Sequence, residues 1–174
     1  MRKSLKQPVP EKRSPSVESR VAIMRHPLHP IVVVYPIVCL SLLLPADIAH
    51  LWTGDPFWAK AAWWLNVLGL VSGLGAAVLG IADMFLIRVA RRHVSVWNHF
   101  IAGVMLLALA ALGVWLRAAD AAIASSWIVV QSALCLSMVL VVGWLGGTLT
   151  FGHGIGVYGH DARVRQSDDE APGE

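Results

Sequence analysis

His29, Asp83, His99 and His153 each stand at the same side of one of four apolar stretches long enough to cross a bilayer. Their chemistry is ligation. Imidazoles bind Zn, Cu, Fe or Ni, two imidazoles from different helices are the axial set of a b-type haem, and two imidazoles with a carboxylate suit non-haem iron. Ionisable side chains inside a membrane protein are expensive, and they usually pair across helices or line a pocket. Six of the seven histidines (His26, His29, His93, His99, His153 and His160) fall at this one side. His26, His93 and His160 lie outside the apolar stretches and read as interfacial polar residues.

The elements that must position these groups are membrane helices. Of the 174 residues, 56% are hydrophobic and 14% charged, with mean hydropathy +0.63, which exceeds what a soluble core of this size requires. A helix needs about 20 apolar residues to span the hydrocarbon. Four stretches qualify, at roughly 31–52, 61–87, 97–116 and 127–151. The expected fold is all-α, a four-helix transmembrane bundle over residues 26–157. Residues 1–25 are polar and broken by Pro8, Pro10 and Pro15, with no apolar signal-peptide core. They read as a disordered tail, as do residues 158–174.

Lys and Arg concentrate in cytoplasmic loops, so their counts orient the bundle. Seven precede the first span, three (Arg88, Arg91, Arg92) lie between the second and third, and two (Arg163, Arg165) follow the fourth. Lys60 and Arg117 alone fall on the other side. Both termini are therefore expected in the cytoplasm. Trp52, Trp58, Trp63, Trp64, Trp115 and Trp127 mark the opposite interface, where amphipathic rings anchor. A net charge of +3 in such a chain fits anionic lipid and not nucleic acid.

Small residues at alternating steps of three and four trace the faces along which helices pack in lipid. Helix two reads Gly69, Gly73, Ala76, Gly80, Asp83, and helix three reads His99, Gly103, Leu106, Ala110, Gly113. Helix four reads Gly143, Gly146, Thr150, His153, with Gly143 and Gly147 as a GxxxG pair suited to self-association. Helix one runs from His29, between Pro27 and Pro30, through Val33, Pro36, Leu40 and Leu43 to Asp47. Pro36 and Pro45 interrupt it. The stripes aim His29, Asp83, His99 and His153 at one end of the interior, with Arg88, Arg91 and Arg92 placed for haem propionates or lipid at the rim.

At the far end Asp47 and His50 share a helix face and form a candidate outer pair. Cys39 and Cys135 lie inside spans and read as small hydrophobes, not as a disulfide. P-loop, GxSxG, HExxH and CxxC patterns are absent, and the spacing of Gly152, Gly154 and Gly156 is too short for a dinucleotide fingerprint.

The opening HPLHPIVVVYPI (26–37), Asp47, the GIAD of 80–83, His99 and the closing GWLGGTLTFGHGIGV (143–157) resemble a bacterial integral membrane family designated DUF2231. The resemblance covers roughly residues 26–157. It implies a four-helix bundle in the bacterial inner membrane, and a connection with electron transfer through members fused to Rieske-type or cytochrome-like modules. This chain carries neither a Rieske ligand pattern nor CxxCH, so a redox partner chain or quinone would have to be separate. Three functions follow as expectations: a haem b electron carrier, a site for an Fe, Cu or Zn ion, or a non-catalytic scaffold subunit. If the chain is redox active, electron transfer rather than stand-alone catalysis is the expectation.

Overall fold

A computed structural model describes residues 17–119 and 124–156. Helices α1 (Leu28–Val32), α2 (Val34–Ser41) and α3 (Leu43–Thr53) together form one apolar span, followed by α4 (Pro56–Leu86), α5 (Val94–Ala119) and α6 (Ala124–Gly147). Four helical runs are long and apolar enough to cross a membrane. Only 22–28% of each run's most apolar window is buried, as in a bundle whose outer faces are left for lipid.

The breaks in the first span follow from its prolines. Pro36 and Pro45 have no N–H for the carbonyls four residues earlier, Val32 and Ser41, and α1 and α2 end at those residues. Hydrogen bonds from Ile37 to Val33 and from Ala46 to Leu42 carry the chain across each kink. At the end of α3, Gly54 takes a left-handed φ of 67°, and Asp55 then caps α4 by accepting from the Phe57 N–H at 2.9 Å. Pro56 occupies the first turn, where a missing N–H costs nothing.

The kinked span lies along α4, and small residues let it come close. A methyl group at Gly69 would stand 2.6 Å from Leu40 Cδ2, and one at Gly73 would stand 2.7 Å from Leu107 Cδ2. Leu40, Leu106, Ala110, Cys135 and Val139 form the central core cluster. Pro36, Leu40, Leu43 and Asp47 on the first span are all buried, so its stripe is interior as the spacing predicts. The helix four stripe is only partly so, because Gly143 is exposed and has open space around it. Gly147 meets only Phe151 of the following turn, so the GxxxG face is not used within the bundle among the described residues.

Residues 17–25 differ from the loose tail expected of residues 1–25. Two short antiparallel strands, β1 (Ala22–Ile23) and β2 (His26–Pro27), pair through a turn at Met24 and Arg25, and both turn residues have positive φ. Val17 joins the far end of the chain, donating to Gly154 O at 2.9 Å and accepting from Gly156 N at 2.8 Å. Its side chain packs on a cluster of Met84, Ile87, Ala90, Val96 and Leu149, which gives the segment the apolar anchor that its composition does not advertise. Residues 1–16 and 157–174, with the rest of both expected tails, lie outside the described residues.

Gly69→Ala is expected to destabilise the protein by about 1–3 kcal/mol, because fully buried Leu40 has nowhere to move. Gly75→Ala meets nothing within 4 Å and should be neutral or stabilising by up to about 1 kcal/mol. Thermal unfolding in one detergent distinguishes the two variants.

Candidate functional site

At the end of the bundle where Val17 meets Gly154 and Gly156, the four sequence-predicted ligands divide into three groups. His29 and His99 meet. His29 leaves the first turn of α1 and His99 the second turn of α5, with ring centroids 6.2 Å apart and planes at 89°. His29 Nδ1 lies 2.8 Å from Ala76 O, and since a carbonyl only accepts, Nδ1 carries the proton of this bond and Nε2 is the nitrogen left for another partner. His99 Nδ1 is buried without a hydrogen-bond partner among the described residues. Each ring rests on a glycine: a Cβ at Gly80 would be 3.0 Å from the His29 ring, and one at Gly146 would be 3.1 Å from His99. The small-residue stripes of α4 and α6 therefore seat these imidazoles as well as packing helices.

Asp83 does not join them. Its carboxylate accepts from Ser19 Oγ at 2.5 Å and from the backbone N–H groups of Arg20 and Val21, both at 2.8 Å. Three donors satisfy one buried-end carboxylate and tie the N-terminal segment across the bundle. His153, after a wide π-helical turn at Thr148–Gly152, lies 3.3 Å through Nε2 from Ser95 Oγ. Its ring faces His93 at 5.6 Å. Among the described residues, no three of His, Cys, Asp and Glu come together as a metal-binding group. The expected four-residue pocket is thus one histidine pair flanked by two separate polar contacts. Arg88, Arg91 and Arg92 are exposed at this end, and the Arg91 carbonyl accepts from Trp97 Nε1 at 3.0 Å.

The other end holds a polar layer that the sequence reading does not assemble. Asp47 pairs with Arg117, at 2.5 Å from Oδ2 to Nη2, and both side chains are 5% exposed. Ser132 Oγ donates to the same carboxylate oxygen. Arg117 Nη1 donates to Gln131 Oε1 at 2.9 Å and to Gly113 O at 3.2 Å. Gln131 Nε2 reaches Leu109 O at 2.9 Å and Cys135 Sγ at 3.0 Å. Asn66, fully buried on α4, lies so close that a Cβ at Gly113 would stand 2.5 Å from its Nδ2. The expected outer partner of Asp47 is therefore replaced: His50 instead directs Nδ1 to Asp55 O at 3.0 Å, and Arg117, expected in a loop, is interior.

A signal for this layer exists. Continuing each stripe by the same steps goes from Gly69 to Asn66, from Gly113 to Arg117, and from Gly143 through Val139 and Cys135 to Ser132.

A family model described as predicted membrane protein (DUF2231) matches residues 25–159. No curated protein and no solved structure matches the chain.

Asp83→Asn removes the charge from three hydrogen bonds, each worth about 1.5–3 kcal/mol when one partner is ionised. Amide exchange at Arg20 and Val21 should accelerate at least about tenfold, the change that 1.4 kcal/mol brings, while exchange in the middle of α4 stays constant. Unchanged exchange at both amides would show that the carboxylate does not hold the segment.

Proposed function

The chain belongs to the DUF2231 family of predicted membrane proteins, and we propose that it is an electron-transfer subunit binding haem b between His29 and His99. The supporting observation is the pair itself: two imidazoles from different helices, 6.2 Å apart between centroids and perpendicular. That separation leaves room for one metal ion about 2.0–2.1 Å from a nitrogen of each ring. A macrocycle already fills four positions on its iron, so two protein ligands suffice. A bare ion usually takes three or four protein ligands, and the third candidate here, Asp83, already has three donors. This favours haem over the Fe, Cu or Zn ion.

The residues fit the group in three further respects. The Ala76 carbonyl fixes the His29 tautomer, as second-shell acceptors do for metal-bound imidazoles. The buried Nδ1 of half-buried His99, without a hydrogen-bond partner among the described residues, marks a place where a ligand or a small ring movement is favourable. One turn along α5 from His99, a Cβ at Gly103 would meet nothing within 4 Å. When bound, haem iron would supply one-electron chemistry. His29 and His99 would hold the group, with Ala76 and Gly80 seating the first ring and Gly146 the second. A membrane quinone or a separate redox chain would be the exchange partner. Both termini would face the cytoplasm, since Arg20, Arg25, Arg88, Arg91 and Arg92 crowd this end while Lys60 is the one exposed Lys or Arg at the other among the described residues.

The scaffold reading draws on a different observation, the interlocked polar layer at the far end, which stabilises a bundle with or without a cofactor.

Full-length protein purified in mild detergent and supplied with haem should show a Soret band with the sharp reduced-state bands of a six-coordinate iron. His29→Ala and His99→Ala should each lower haem occupancy at least about tenfold, a 1.4 kcal/mol loss, and His153→Ala should leave it unchanged. Absence of a Soret band after supplementation, or equal occupancy in all three variants, contradicts the proposal.

A further inference from the structure

The folded N-terminal segment does more than close the bundle. Together with the end of α4 it walls a cavity of about 440 Å³ lined by Val17, Glu18, Arg20, Leu86, Ile87, Arg88 and Val89. We propose that this cavity is a binding site for the phosphodiester headgroup of an anionic phospholipid, independent of the histidine pair.

Arg20, from the N-terminal segment, and Arg88, just after α4, both line the cavity. Arg20 is set there because its own backbone N–H is bound to Asp83, as is that of Val21. Arg88 follows Ile87, which is buried and extended (φ −103°, ψ 98°) and ends α4. The one acidic wall residue, Glu18, has Arg25 at 3.9 Å, so Arg20 and Arg88 leave the site positive. Guanidinium groups bind phosphate oxygens through paired N–H donors. Phe85, Leu86 and Val89 are all more than half exposed immediately beside the mouth, and they continue the membrane-facing surface of α4. A ligand with an anionic head and an acyl tail matches both surfaces at once, whereas free phosphate would use only the first. Basic pockets at the ends of spans take anionic headgroups on this principle. Arg91 and Arg92, in the following turn, add positive potential without lining the cavity.

Asp83 supplies the sharpest test, because general electrostatics and a built site predict opposite signs. Asp83→Asn makes the chain more positive and should strengthen diffuse attraction to anionic lipid. If the site depends on the tethered segment, the same change releases Arg20 and weakens binding.

The full-length protein in mild detergent is mixed with phosphatidylglycerol or phosphatidylcholine, and retained lipid is counted by native mass spectrometry. Wild type should retain phosphatidylglycerol at least tenfold over phosphatidylcholine. Arg20→Gln with Arg88→Gln should reduce retention about tenfold, Arg91→Gln with Arg92→Gln less than twofold, and Asp83→Asn should reduce it at least threefold. Millimolar inorganic phosphate should not displace the lipid. Circular dichroism of each variant establishes that the helices are intact, and His29→Ala should bind lipid as wild type does. The proposal is overturned if Asp83→Asn binds more lipid, if both arginine pairs matter equally, if phosphatidylcholine is retained as well, or if phosphate displaces the lipid.

Discussion

The buried ion pair between Asp47 and Arg117 is the interaction on which the rest of the bundle depends. Inside a bilayer no water solvates a charged side chain or an unpaired polar group, so partners must come from the protein. The carboxylate takes Arg117 and Ser132, and the guanidinium reaches Gln131 and the Gly113 carbonyl as well. These bonds join α3, α5 and α6, with Asn66 of α4 packed beside them. Desolvation of two ions costs several kcal/mol each, and their attraction offsets that cost only when geometry is good and remaining donors are used. Misrotating any one of the three bonded helices would leave charge exposed to hydrocarbon.

Fixing rotation at one end fixes it at the other. The stripe that ends in Asp47 begins at His29, and the stripe that ends in Arg117 begins at His99. α5 is unbroken, and hydrogen bonds across the two kinks keep Pro36, Leu40, Leu43 and Asp47 on one buried face, so the ion pair and the two histidines lie on the same two stripes. The kinks at Val33 and Leu42 adapt the first span to α4, where Gly69 and Gly73 admit Leu40 and Pro36. Asp83 then anchors a segment from outside the spans. Buried polar atoms without a hydrogen-bond partner among the described residues remain at both ends, Asn66 Nδ2 and Oδ1 and Arg117 Nε at the far one and His99 Nδ1 at the near one.

Much of this was legible in the sequence, because spans are long and apolar and small residues recur at helical steps. The stripes through Gly69, Gly73, Ala76 and Gly80, and through Leu40 and Leu43, are interior as their spacing implies. Two features are hidden from the rules that find spans and count charges. Arg117 looks like a loop charge to any rule that counts Lys and Arg by position, because its partner lies 70 residues away on a helix whose rotation is unknown. Asp83 looks like a ligand because periodicity cannot show that residues 19–21, polar and proline-flanked, fold back over it. Shared membership of one end is a one-dimensional fact, and convergence also needs matching depth: α6 meets His99 at Gly146, and His153 lies further along, beside Ser95.

The measurement closest to the centre of this account is a double-mutant cycle on the ion pair. Asp47→Leu, Arg117→Leu and the double variant are compared with wild type by reversible unfolding in one detergent. Each single change strands a buried charge and should cost about 3–5 kcal/mol, while the double variant should recover at least half of the summed loss. Single costs below about 0.5 kcal/mol, the level of ordinary surface substitutions, or strictly additive effects would contradict the view that this pair locks the helices in register.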